Sequence, residues 1–146
     1  MQVAQQTVER RTGTQQFIDA MLDERQEMWV LYCKVAGLEP FPREAPEHAL
    51  INEFCQVLVD YTSSGHFGLY ERIIEGKERR RAVREVASDV YEKIAKTTDA
   101  ALGFNDYFEA AGTGPLDTTM SRMLSELGEA LATRIELEDR IIDRMK

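Results

Sequence analysis

Charged residues on helix faces that should be apolar are the first candidates for chemistry in this chain. Towards the C-terminus Leu124, Leu127, Leu131 and Ile141 keep close to heptad spacing, and Arg134 and Glu138 take places in the same series. Arg25 falls in a comparable way between Leu22 and Trp29. Two arginines and a carboxylate on apolar faces can pair between helices and fix their register, without a guaranteed net gain in stability once desolvation is counted. The other reading is a polar pocket that cradles a small ligand or a substrate. Spacing alone leaves both open, with structural pairing the simpler assignment.

Other constellations carry less. His48 and His66 are the only histidines, and neither is preceded at the third residue by a glutamate, so the inward-facing Glu-x-x-His pairs of a di-iron bundle are missing. Two histidines and two cysteines spread over separate segments also lack zinc-site spacing, and no metal or other cofactor is expected. His66 lies near Asp60 and Glu71, and a carboxylate could tune it for proton transfer. The alternative is a histidine at a helix break, satisfied by hydrogen bonds. A nucleophile elbow, a phosphate-binding loop, a dinucleotide fingerprint and an HExxH motif are all missing, so the sequence gives no handle for catalysis. Cys33 and Cys55 sit among apolar residues at helical spacing, which suits reduced core thiols in the cytosol; a single disulfide is the other possibility.

Recognition has better candidates. Gln56, Asp60, Ser63 and Phe67 recur on one helical face, away from the apolar stripe of Phe54, Leu58 and Tyr61. An aromatic ring on a polar face is a plausible anchor for a partner, unless Phe67 turns inward past the glycines. The run Lys77-Glu78-Arg79-Arg80-Arg81, with Arg84, is the one basic concentration. It would touch a nucleic acid backbone or, diluted by Glu75, Glu78 and Glu85, form a solvated helix start.

The elements that must position these residues are all helical. Apolar side chains recur with a 3.6-residue period from about Thr7 to Ala36, where Gly37 is the expected C′ residue and Pro40, Pro42 and Pro46 block continuation. A second pattern opens near Pro46 and reaches Ser63, Ser64, Gly65 and Gly68, where the helix should kink or stop, resuming as far as Gly76. The third, from about Glu78 to Leu102, shows a narrow stripe of Val83, Val86, Val90, Ile94 and Ala101, which predicts the most exposed helix. A linker is expected from Gly103 to Gly114, folded back through Phe104, Tyr107 and Phe108. Pro115 suits the first position of the last helix. The fold expected is all-α, an antiparallel four-helix bundle with a kinked second helix, forming one domain over residues 1–146.

The 146 residues carry a formal net charge of −8, which argues against general affinity for nucleic acid and for steering toward basic partners. No apolar run approaches ~18 residues, and the first residues lack a signal-peptide core, so a cytoplasmic chain without a membrane span is expected.

Four segments carry a resemblance. Phe54-Cys55-Gln56, Leu58-Val59-Asp60-Tyr61, Gly65-His66-Phe67 and Tyr70-Glu71-Arg72-Ile73 are similar to the signature of the Rsd/AlgQ family, regulators of the bacterial primary sigma factor. Further matches are Ile18-Asp19, Arg25 and Tyr32 in the first segment, and Leu124-Ser125, Gly128-Glu129-Ala130-Leu131, Arg134 and Leu137-Glu138-Asp139 in the last. The region from about Gly76 to Leu116 matches weakly. The resemblance implies a helical-bundle anti-sigma factor and no enzyme. It would bind the promoter-recognition, helix-turn-helix domain of the primary sigma factor and withhold it from core polymerase and promoter DNA. The implied contacts are Asp60, Ser63, His66, Phe67, Tyr70 and Glu71, with Arg25, Arg134 and Glu138 as scaffold. Transcription would then shift toward alternative sigma factors as growth slows, in stationary phase.

Overall fold

In the computed structural model, residues 2–41, 46–65, 68, 80–111 and 117–145 are described, with side chains continuous from Gln15 within these ranges. They form four long helices: α1 (Gln2–Ala36), α2 (His48–Gly65), α3 (Arg81–Ala111) and α4 (Thr118–Met145). No strand occurs among the described residues, and the fold is an all-α bundle.

The apolar spacing explains why these helices assemble. On α3 the buried series is Val83, Ala87, Val90, Ile94, Thr97, Ala101, Phe104 and Phe108, alternating steps of four and three along one seam. The series on α4 steps the same way through Met120, Leu124, Leu127, Leu131, Arg134, Glu138 and Ile141. These two seams make the most extensive helix pair of the bundle, and α1 packs chiefly on α2. Met28, Phe54, Leu58, Tyr61 and Phe104 close a single hydrophobic cluster to which all four helices contribute. Residue numbers rise along one helix as they fall along its neighbour. Tyr32 meets Phe54 while Glu24 meets Ser64, and Arg25 meets Asp139 while Tyr32 meets Leu124.

The ends of the helices follow local chemistry. Gly37 adopts φ 66°, and the amides of Gly37 and Leu38 donate to the carbonyls of Lys34 (3.3 Å) and Cys33 (3.0 Å), a paired closure that needs a left-handed residue. The first helix begins at Gln2, five residues before the expected Thr7.

Two expectations are corrected. The stretch from Gly103 is helix as far as Ala111, because Phe104 and Phe108 extend the buried series of Ala101 while Gly103 lies on the solvent side. The third helix remains largely exposed outside that buried series, as the narrow stripe predicts. The last helix starts at Thr118, later than expected, and Pro115 itself lies outside the described residues: Asp117 caps the helix, its Oδ1 accepting the Met120 amide at 2.7 Å, and the Tyr107 hydroxyl donates to Oδ2 at 3.1 Å. The kink expected beyond Gly65 lies outside the described residues, as do most residues of the expected continuation to Gly76.

Candidate functional site

Arg134 and Glu138 are both wholly buried, one helical turn apart on α4, with Arg134 Nε 3.2 Å from Glu138 Oε2. A charge with no access to water needs its partners inside the fold. The guanidinium donates through Nη1 to the hydroxyls of Thr97 (3.1 Å) and Thr98 (2.7 Å) on α3, and through Nη2 to the Thr62 carbonyl on α2 (3.2 Å). Its Cζ lies 5.2 Å from the centre of the Tyr61 ring, a cation–π contact. The Tyr61 hydroxyl donates to Glu138 Oε1 in a short hydrogen bond. From α1, Arg25 Nη1 reaches Glu138 Oε1 at 3.5 Å and Asp139 Oδ1 at 2.9 Å. Asp139 is half exposed, so the chain of charges runs from the bundle centre to the surface.

These contacts shape protonation. Burial pushes the Tyr61 phenol upward, the Glu138 charge pushes it further, and Arg134 only partly opposes them, so Tyr61 stays a neutral donor. For Arg25 burial opposes the charge, but Asp139 and Glu138 outweigh it and hold the guanidinium more firmly protonated than usual. Arg25, Arg134 and Glu138 thus meet in one centre. No room is left between Arg134 and Glu138 for a ligand, since both side chains are enclosed by protein and bound to Tyr61, Thr62, Thr97 and Thr98. Those four partners escaped the sequence reading. Thr97 was detectable from its place between Ile94 and Ala101, and Tyr61 because a buried tyrosine hydroxyl requires an acceptor.

The same centre fixes the C-terminal end of α2 from below. Tyr61 and Thr62 face inward, and Thr62 Oγ1 donates to the Leu58 carbonyl at 2.9 Å. Asp60 is exposed on the other side of this turn and Ser63 is half-buried beside it. His66, Phe67, Tyr70 and Glu71 lie outside the described residues. Asp60 has acidic company from α1 that the sequence reading also missed. Glu24 loses solvation by partial burial; a hydrogen bond with Ser64 opposes this, but repulsion from Asp60 and Glu27 adds to it, and its carboxyl pKa is raised. Glu24, Glu27 and Asp60 therefore form one electronegative face across α1 and α2.

The basic segment is partly committed. Arg80 Nη1 donates to the Met145 carbonyl at the end of α4 (2.7 Å), and Arg81 pairs with Glu85 (2.8 Å). Lys77, Glu78 and Arg79 lie outside the described residues. Cys33 and Cys55 are free thiols, Cys55 fully buried and Cys33 partly exposed. Burial, with a smaller push from Glu109, raises the Cys55 thiol to about 12. Among the described residues no group of three or more metal-binding side chains is placed to hold an ion, and no helix is long and apolar enough to cross a membrane.

The whole chain, residues 1–146, matches the family model described as Regulator of RNA polymerase sigma(70) subunit, Rsd/AlgQ. It is similar to a protein named Regulator of sigma D from Yersinia enterocolitica serotype O:8, 36% identical over 141 residues, covering 92% of this chain and 83% of that protein. A protein of the same name from Enterobacter sp. strain 638 is 35% identical over 141 residues, covering 92% and 82%. One from Yersinia pestis is 34% identical with the same coverage.

Proposed function

Because the chain belongs to the Rsd/AlgQ family of regulators of the RNA polymerase sigma(70) subunit, we propose that it is an anti-sigma factor and not an enzyme. It binds the primary sigma factor in the cytoplasm, as a single domain, and contacts no nucleic acid itself. The part of sigma it takes is the promoter-recognition domain, whose helix-turn-helix surface is basic because it faces DNA phosphates. A bound bundle covers that surface and limits its use by core polymerase, favouring alternative sigma factors in stationary phase.

The observation that carries this reading is the electronegative face at the end of α2. Asp60 stands exposed there, with Glu24 and Glu27 alongside, while Tyr61 and Thr62 anchor the same turn to the buried ionic centre. A carboxylate on a rigid turn offers a sigma arginine a preorganised acceptor. Ser63 adds a hydroxyl beside it, and we assign His66, Phe67, Tyr70 and Glu71 to the continuation of the same contact, with Phe67 supplying apolar area. Arg25, Arg134 and Glu138 act as scaffold.

Calorimetric titration of the full chain with the isolated promoter-recognition domain tests this. The expected result is a one-to-one complex that weakens steeply as salt rises and screens the facing charges. Asp60→Ala should weaken it tenfold or more with an unchanged melting temperature. The absence of binding at low ionic strength would overturn the proposal; binding that ignores Asp60→Ala would move the interface elsewhere.

A further inference from the structure

A recess lies on another side of α1, between it and α4. Its volume is about 500 Å3, and Trp29 lines it together with Ala132 and Ile135, which supply apolar wall, and Arg25, Thr133 and Glu136, which supply polar groups. That size and mixture fall within the range of small-molecule sites, roughly 300–1,000 Å3. The recess is distinct from the face around Asp60, which α1 shares with α2.

The charges in the recess are unequal in what they leave available. Arg25 already spends its guanidinium on Asp139 and Glu138, at 2.9 and 3.5 Å. An incoming anion would find that cation matched by two carboxylates and would be repelled by both. Glu136, by contrast, is exposed and pairs with no cation among the described residues. Glu129, about two turns of α4 away, adds negative potential close enough to act on Tyr32. Trp29 is half-buried and held by stacking on Tyr32, with ring centres 5.3 Å apart, so an aromatic surface is fixed beside the available carboxylate. A carboxylate and an indole face at one opening favour an organic cation, through ion pairing and cation–π attraction together.

We infer that the α1–α4 recess is a second binding site, separate from the proposed sigma-docking face, that takes a small organic cation with an apolar body, a guanidinium or ammonium on an aryl or alkyl group. The cationic head meets Glu136 and the Trp29 ring, and the body lies on Ala132 and Ile135. An arginine side chain offered by a protein would share the head group but not fill the recess as a free ligand does.

Trp29 is the only tryptophan, so its fluorescence and its single indole N–H resonance report directly on the recess. The probe is 2-phenylethylguanidine, added to the 146-residue chain without sigma. Both signals should change saturably below about 10 mM, as a ligand of this size allows. Glu136→Gln should weaken binding at least fivefold, and Asp60→Ala should leave it unchanged. The carboxylate analogue 4-phenylbutanoate should not bind, and an arginine-bearing peptide should bind more weakly than the free cation. No saturation, equal affinity in Glu136→Gln, or equal binding of the carboxylate would each overturn the inference. Loss of binding in Asp60→Ala would instead place the probe on the sigma-docking face. None of these outcomes depends on whether sigma binds, so the two readings fail separately.

Discussion

Arg134 is held by hydrogen bonds to α2, α3 and its own helix, and Glu138 by Tyr61 and two arginines, so neither can be removed alone without stranding the other. Glu138→Leu leaves Arg134 as a charge in the core lacking its carboxylate, a loss of about 3–5 kcal/mol. Combining Arg134→Met with Glu138→Leu removes both charges, and the double variant should be more stable than the two single losses sum to, with a coupling on the order of 1–3 kcal/mol. Urea unfolding of the four proteins of this cycle measures it, and strict additivity would mean that ion pairing does not hold the centre together. Arg25 should matter less, since Asp139, its nearest partner, is half exposed.

Two glycines within helices should respond in opposite ways, because a helix tolerates a new methyl group only where its neighbour leaves room. On α4, a Cβ at Gly128 would run into the Tyr32 ring, whose hydroxyl donates to the Leu124 carbonyl at 3.0 Å and so keeps the ring in place. Gly128→Ala should therefore destabilise by about 1–3 kcal/mol despite the better helix propensity of alanine. On α3, nothing lies within 4 Å of a Cβ at Gly103, and Gly103→Ala should stabilise by up to about 1 kcal/mol. Thermal melts of both variants decide the matter, and a stabilised Gly128→Ala would mean that Tyr32 yields freely. Gly103 also shows why one boundary was illegible: a glycine on the solvent side of a helix looks in sequence like a linker. What identifies the helix is the inner face, where Phe104 and Phe108 keep the step of Ile94, Thr97 and Ala101. The other helices were readable because apolar residues recur at helical spacing along most of their length. Arg134 and Glu138 stood out as charges in such a series, whereas Thr62 and Thr97 did not, since threonine suits a buried or an exposed face equally. The electronegative face was half legible: Asp60 shows on α2, but its proximity to Glu24 is a product of packing.

At the scale of the molecule, the core is charged yet holds two groups that must stay neutral. Cys55 rises from an ordinary 9.0 to about 12 on folding, and Tyr61 rises above its ordinary 10.0. Both bind their protons more tightly folded than unfolded, so the stability this brings is complete below pH 9 and is lost as the pH climbs toward the folded values. Denaturant midpoints should change little on account of these groups between pH 7 and 8.5 and fall from about pH 9 upward, less steeply in Cys55→Ala. A midpoint that held constant to pH 10.5 would mean that these groups ionise in place.

The hydrogen bonds that the ionic centre makes between helices join residues 36 to 114 positions apart. None can close until the segment bearing Arg134, Glu138 and Asp139 exists, and that segment follows α1, α2 and α3 in the chain. A nascent chain released only as far as α3 thus has Thr62 without the guanidinium that grips its carbonyl and Tyr61 without its acceptor. The turn that displays Asp60 gains its support only once α4 is in place, so a truncated product lacking α4 would present that carboxylate on an unsecured helix end and be a poor competitor for sigma.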